Sequence, residues 1–167
     1  MKRTIAPLLI FLGVFIVLIG CRAPQVGNVS SVEFLGPGPV NILSDPSRVE
    51  GWNFQRADGS IMTEAPLRPL DVSIAKELGA ILLKDGTYRL PAREGAFEHT
   101  VGFRIWRASE SIDVMLSFGN DQVQVKTGSG GGATPISQTA GVTAAHDALV
   151  GVAKKAFPEL NVATNKK

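Results

Sequence analysis

Three runs between residues 101 and 126 constrain this chain more than anything else in it. Val101, Phe103 and Ile105 alternate with Gly102, Arg104 and Trp106; Ile112, Val114, Leu116 and Phe118 alternate with Asp113, Met115 and Ser117; Val123 and Val125 alternate with Gln122, Gln124 and Lys126. Successive side chains of a strand point to opposite faces, so a period of two reads as a strand with one face buried. Ala108 to Ser111 and Gly119-Asn120 are short enough to be hairpin turns, and the three strands are therefore expected as an antiparallel meander. A slip of one residue would turn Phe103, Leu116 and Phe118 toward water, which fixes the register.

A sheet with one apolar face needs cover, and two segments have the pattern to supply it. From Leu70 to Lys84 the apolar residues Ile74, Leu78, Ile81 and Leu82 make one helical stripe, with Asp71 at the positive end of the helix and Lys84 at the negative end. A second helix is expected from Ser137 to Phe157, with Val142, Ala145, Leu149, Val152, Ala153 and Ala156 on one face and Pro158 as its stop. Ser31 to Leu35 (SVEFL) reads as a short strand ended by Gly36-Pro37-Gly38-Pro39. Val49 to Ala57 reads as another, with Trp52 and Phe54 on one face. The expected fold class is α+β: a three-stranded meander plus one or two N-terminal strands, with two helices packed on one face.

The first 20 residues follow a different logic. Met1-Lys2-Arg3-Thr4 is a short basic region, Ile5 to Gly20 carries no charge, and Leu18-Ile19-Gly20-Cys21 follows at once. That tetrapeptide resembles the lipobox of bacterial lipoproteins, in which the peptide is cut before the cysteine and the thiol is acylated. An uncleaved transmembrane helix is disfavoured, because 16 apolar residues fall short of the roughly 20 needed to span hydrocarbon. Two or more acyl chains, at about 0.8 kcal/mol per buried CH₂, hold a protein on a bilayer without help from its body. The expected organisation is a lipoprotein signal peptide over 1–20, a lipidated tether over 21–30, one α+β domain over 31–160 and a polar tail over 161–167. Arg22 follows the lipidated cysteine, and by resemblance to the enterobacterial sorting rule a residue other than Asp there implies the outer membrane. The domain is then periplasmic or extracellular. Asn28-Val29-Ser30 matches the glycosylation pattern by chance in such a tether.

Charge excludes one class of partner. Of 17 Lys+Arg, Lys2 and Arg3 leave with the signal peptide, so 15 remain against 15 Asp+Glu. A neutral body has no electrostatic footprint for nucleic acid, although the whole chain has a pI near 8.9. With a single Cys, committed to lipid, the domain has neither disulfide nor thiol nucleophile.

Each remaining motif has a plain structural reading. Gly128 to Ala133 (GSGGGA) fits G-x-G-x-x-A, but Thr134-Pro135 interrupts it before any helix, and the preceding strand belongs to a hairpin rather than a parallel unit, so it reads as a linker. No Gly-Lys dipeptide allows a Walker loop. His99 and His146 are too few for a three-His zinc site; His146 reads as a packing residue, and Glu94, Glu98 and His99 as a loop entering a strand. Glu110, Asp113 and Asp121 read as solvated turn residues. Neither a catalytic residue nor a metal or cofactor is expected.

Gly51-Trp52, Asp85-Gly86-Thr87, Phe97, Gly102-Phe103-Arg104 and the run Ile112 to Val125 together resemble a family of small bacterial envelope proteins without an assigned activity. The central strands of that family read C-F-x-P-x-H-G-I-R and I-C-F-x-C-x-Q-V-x-V. At matching positions this chain has Ala96, Ser117 and Asn120 for Cys and Val101 for His. The resemblance, over about Val49 to Lys126, implies a retained framework and offers no catalytic residue.

The face opposite Phe103 and Ile105 carries Arg104, Trp106, Gln122 and Gln124, a polar and aromatic surface on which an envelope protein or a glycan could stack. The expected protein is a lipid-anchored cell-envelope module, non-enzymatic, held to the membrane through Cys21 and binding through that face. The alternative is a small envelope hydrolase using Glu98 and His99. A concave pocket of converging polar groups would favour the second, and an open sheet face the first.

Overall fold

A computed structural model of the chain describes residues 27–57, 61–64, 66–92, 97–98, 100–127, 136–160 and 162, with backbone alone at 55–57 and 61–64. The alternating runs form strands β6 (Val101–Arg107), β7 (Glu110–Ser117) and β8 (Gln122–Thr127), paired antiparallel so that Phe103, Val114 and Val125 lie in one cross-strand row. Val101, Phe103, Ile105, Ile112, Val114 and Val123 are completely buried and Leu116 nearly so, which places the inward face where the alternation put it. Ala108 turns the first hairpin with φ 52°.

Other strands extend this meander on both sides. Strand β2 (Arg48–Ala57) pairs with β6, and its far edge is shared between β3 (Ile61–Glu64), opposite Phe54 to Ala57, and β4 (Arg68–Leu70), opposite Val49 to Gly51. On the other side β9 (Ser137–Gly141) lines the whole of β8, then touches β5 (Tyr88–Leu90) through Arg89 and Gly141 alone. Strand β1 (Gly27–Val29) closes that edge against β5. The order is β1-β5-β9-β8-β7-β6-β2, with β3 and β4 outermost, and every pairing is antiparallel.

The helices share one face of this sheet: α1 (Ser31–Leu35), α2 (Pro37–Ser44), α3 (Val72–Leu82) and α4 (His146–Ala156), the last entered through a 3₁₀ turn at Thr143–Ala145. Their apolar stripes and the inward sheet residues make one core, in which the Phe103 and Phe157 rings lie 5.9 Å apart. In α3, Ile74, Leu78 and Leu82 are buried as the stripe requires, and the Asp71 carboxylate caps the helix by accepting from the Ser73 N–H at 2.8 Å. Helices α2 and α3 touch backbone to side-chain position: a Cβ on Gly79 would collide with the Leu43 carbonyl oxygen, so only glycine permits this approach.

The α+β class and the helix-covered antiparallel sheet follow the sequence pattern, while three segments depart from it. Ser31–Leu35 is a helix, not a strand, because the Ser30 hydroxyl accepts from the Glu33 N–H at 3.1 Å and Pro37 then starts α2 instead of merely ending what precedes it. Ser137–Gly141 is a strand, not the first turns of a helix, because β8 needs a partner and Ala140 fits completely buried beside Val123. Gly27–Val29, within the segment expected as tether, is paired as β1. The signal peptide, Cys21 and Arg22 lie outside the described residues, as do Glu94, Ala96, His99 and the GSGGGA segment.

Candidate binding face of the sheet

With the described helices on one side, the chemistry open to a partner is on the other, and the strand register arranges it in rows. Nearest the β6–β7 turn, Arg48 of β2 faces Trp106, and its guanidinium carbon sits 3.8 Å from the centroid of the half-exposed ring. A cation over the indole face is attracted by the ring's quadrupole, a contact worth about 0.5–1 kcal/mol at an exposed site. The next row reads Glu50, Arg104, Asp113, Lys126, alternating in sign. In its centre Arg104 donates from Nε to Asp113 Oδ1 at 2.6 Å and from Nη2 to Asp113 Oδ2 at 2.9 Å. A two-pronged pair of this kind, partly open to solvent, adds little stability, about 0–1 kcal/mol, but fixes the planes of both groups. Asp113 is thus a paired strand residue rather than a solvated turn residue.

The third row runs Trp52, Gly102, Met115, Gln124, Thr139. Here the face begins to close. The Trp52 ring lies directly on Gly102, where any Cβ would collide with the indole carbons, and Trp52 and Met115 are buried although neither belongs to the helix-side core. Gln124 remains half-buried and donates from Nε2 to Thr139 Oγ1 at 3.3 Å. In the fourth row Ser117 and Gln122 are 1% and 2% exposed, so Gln122 is on the closed half of the face while Arg104, Trp106 and Gln124 are on the open half. Trp52 Nε1 and Ser117 Oγ are buried there without a hydrogen-bond partner among the described residues.

Beside the Trp106 end is a shallow, open cleft of about 590 Å³ lined by Asp45, Pro46, Ser47, Arg107, Ala108, Ser109 and Glu110. Ser47 ties the two together, because its N–H and hydroxyl both donate to the Trp106 carbonyl, at 2.8 and 3.1 Å. Arg48 and Glu50, which complete the face, were not singled out by sequence. The signal was present as the alternation Arg48-x-Glu50-x-Trp52, but only pairing with β6 shows which face it belongs to.

Other titratable groups are elsewhere. Glu98 is exposed, near the β7–β8 turn, and its expected partner His99 is outside the described residues. His146, at the start of α4, is buried as a packing residue edge-on to Phe118 at 5.9 Å. Its Nδ1 is 2.5 Å from Asp121 Oδ1, and Asp121 is 13% exposed, a correction to its reading as a solvated turn residue. Burial pushes the Tyr88 phenol well above its ordinary value, and the phenol oxygen has no partner among the described residues. Among the described residues there is no group of three or more His, Cys, Asp or Glu placed to hold a metal ion, and no helix long and apolar enough to cross a membrane.

Comparison of the chain with family models, curated proteins and solved structures finds no match.

Proposed function

We propose that this protein is a lipid-anchored cell-envelope module that binds another envelope component, a protein or a glycan, through the open half of its sheet face. The lipobox Leu18-Ile19-Gly20-Cys21 supports the anchor, and the arrangement around Trp106 supports the binding role. One observation carries the second part: Trp106 stands half-buried with the Arg48 guanidinium stacked over its ring, next to the two-pronged Arg104–Asp113 pair. A tryptophan presents a large apolar area with only two side-chain torsions to order on contact, which is what makes such residues anchors of interfaces and of sugar-stacking sites.

The face suits a partner with a flat apolar element bordered by polar groups of both signs, since Glu50 and Lys126 end the charged row. Recovery of the native acylated protein from its own membranes after cross-linking, beside a Trp106→Ala variant, tests the reading. A defined partner present with the wild type and lost with Trp106→Ala is the expected result. The same partner in equal yield from both would overturn it.

A further inference from the structure

The described fold begins at Gly27, six residues after Cys21, and it begins as the outermost strand of the sheet. Fully extended, that stretch reaches only about 20 Å. At about 4.8 Å between neighbouring strands, β1 is roughly 24 Å from β6 and roughly 34 Å from the β4 edge. If the β4 edge lay on the membrane, Gly27 would stand farther from it than the tether allows.

The surface chemistry selects among the remaining orientations. The open sheet face carries the charged row Glu50, Arg104, Asp113, Lys126, and the solvent side of the helix layer carries Lys76, Lys154 and the Lys155–Glu77 pair. Apart from Trp106 at one end of the open face and Val32 on α1, neither broad face exposes a large apolar side chain among the described residues. Among the described residues the exposed large apolar side chains are Val32, Leu67 and Ile136. Val32 is in α1, directly after β1, and Ile136 immediately precedes β9, two strands in; Leu67 is on the far edge, out of reach.

Resting on the lipid anchor proposed above, we infer that the β1 edge of the sheet faces the bilayer, with Val32 of α1 set against the headgroup layer and the Trp106 face displayed away from it. The anchor then does more than retain the protein. It orients the sheet edge-on, so that the open face is perpendicular to the membrane and its Trp106 end is held clear of the headgroups.

The test uses the full chain, expressed where lipoproteins are acylated and reconstituted into vesicles of equal parts phosphatidylethanolamine and phosphatidylglycerol, with a trace of phosphatidylcholine bearing a nitroxide on its headgroup. Val32→Cys and Leu67→Cys replace exposed side chains, and with Cys21 acylated each variant has one thiol for a fluorescent label. Flotation with the vesicles and quenching at position 32 at least about fivefold stronger than at position 67 is the expected result, given the roughly 30 Å between the two edges. Flotation with equal quenching at both positions would overturn the orientation and leave the anchor standing. Failure to float, or labelling of the Cys21 thiol itself, would overturn both.

Discussion

Replacing Gly102 by alanine adds one methyl group to the most crowded point of the outer sheet face. The new Cβ would collide with Cε2, Cζ2 and Cη2 of Trp52, atoms of a rigid bicyclic ring that cannot move by a few tenths of an ångström on its own. The ring must lift as a whole, and Trp52 is only 4% exposed in the native fold. A tryptophan buries about 200 Å², so uncovering half of it costs about 2.5 kcal/mol at roughly 25 cal/mol per Å². Alanine in place of glycine returns about 0.5–1 kcal/mol by restricting the unfolded chain, leaving a net loss near 2 kcal/mol. A double-mutant cycle separates the collision from a general intolerance at this position. With Trp52→Ala already present there is nothing to strike, and Gly102→Ala should then stabilise by about 0.5–1 kcal/mol. Urea melts of the chain from Arg22 onward, read by circular dichroism, give all four corners of the cycle. Emission from Trp52 in a Trp106→Phe background should shift to the red in Gly102→Ala, because the ring becomes wetter. An effect of Gly102→Ala that has the same sign and size with and without Trp52 would refute the stacking argument.

The inward face of the meander predicts that Phe118→Ala, in the core and edge-on to His146, costs about 3–5 kcal/mol, whereas Gln124→Ala on the half-open outer face stays within about ±0.5. Equal denaturation midpoints for those two variants would mean the faces are reversed. The carboxyl of Asp71 is held below its usual 3.8 by hydrogen bonds from Ser73, so its contribution to folding is present above that value and is lost as pH falls through the lowered folded-state value. Thermal melts near neutrality and at about pH 3 should therefore show a larger acid loss for the wild type than for Asp71→Asn, which keeps a cap acceptor that does not titrate. The same acid loss in both would remove Asp71 from the account.

The period-two runs were legible because they are local: strand side chains alternate whatever the strand pairs with, so Val101, Phe103 and Ile105 had to share a face, and burial of that face followed. Helix α3 was legible for the same reason, since its stripe and the capping Asp71 are contained in a dozen residues. Short segments were not, because a few residues carry too little intrinsic preference to outvote their surroundings. SVEFL could have been read from Ser30 and Glu33, a capping spacing three residues apart, yet its alternation pointed the other way. SQTAG became a strand because β8 presented an unpaired edge beside it, a demand that arises only once the meander exists. The candidate face divides along the same line. The sequence determined that Arg104 and Trp106 are opposite the core, while the pairing of β2 with β6 brought Arg48 over Trp106, laid Trp52 on Gly102 and closed half of the surface. Asp121 and His146 met only through the fold, since nothing within either segment specifies a neighbour 25 positions away and tertiary packing alone brings the start of α4 to the β7–β8 turn.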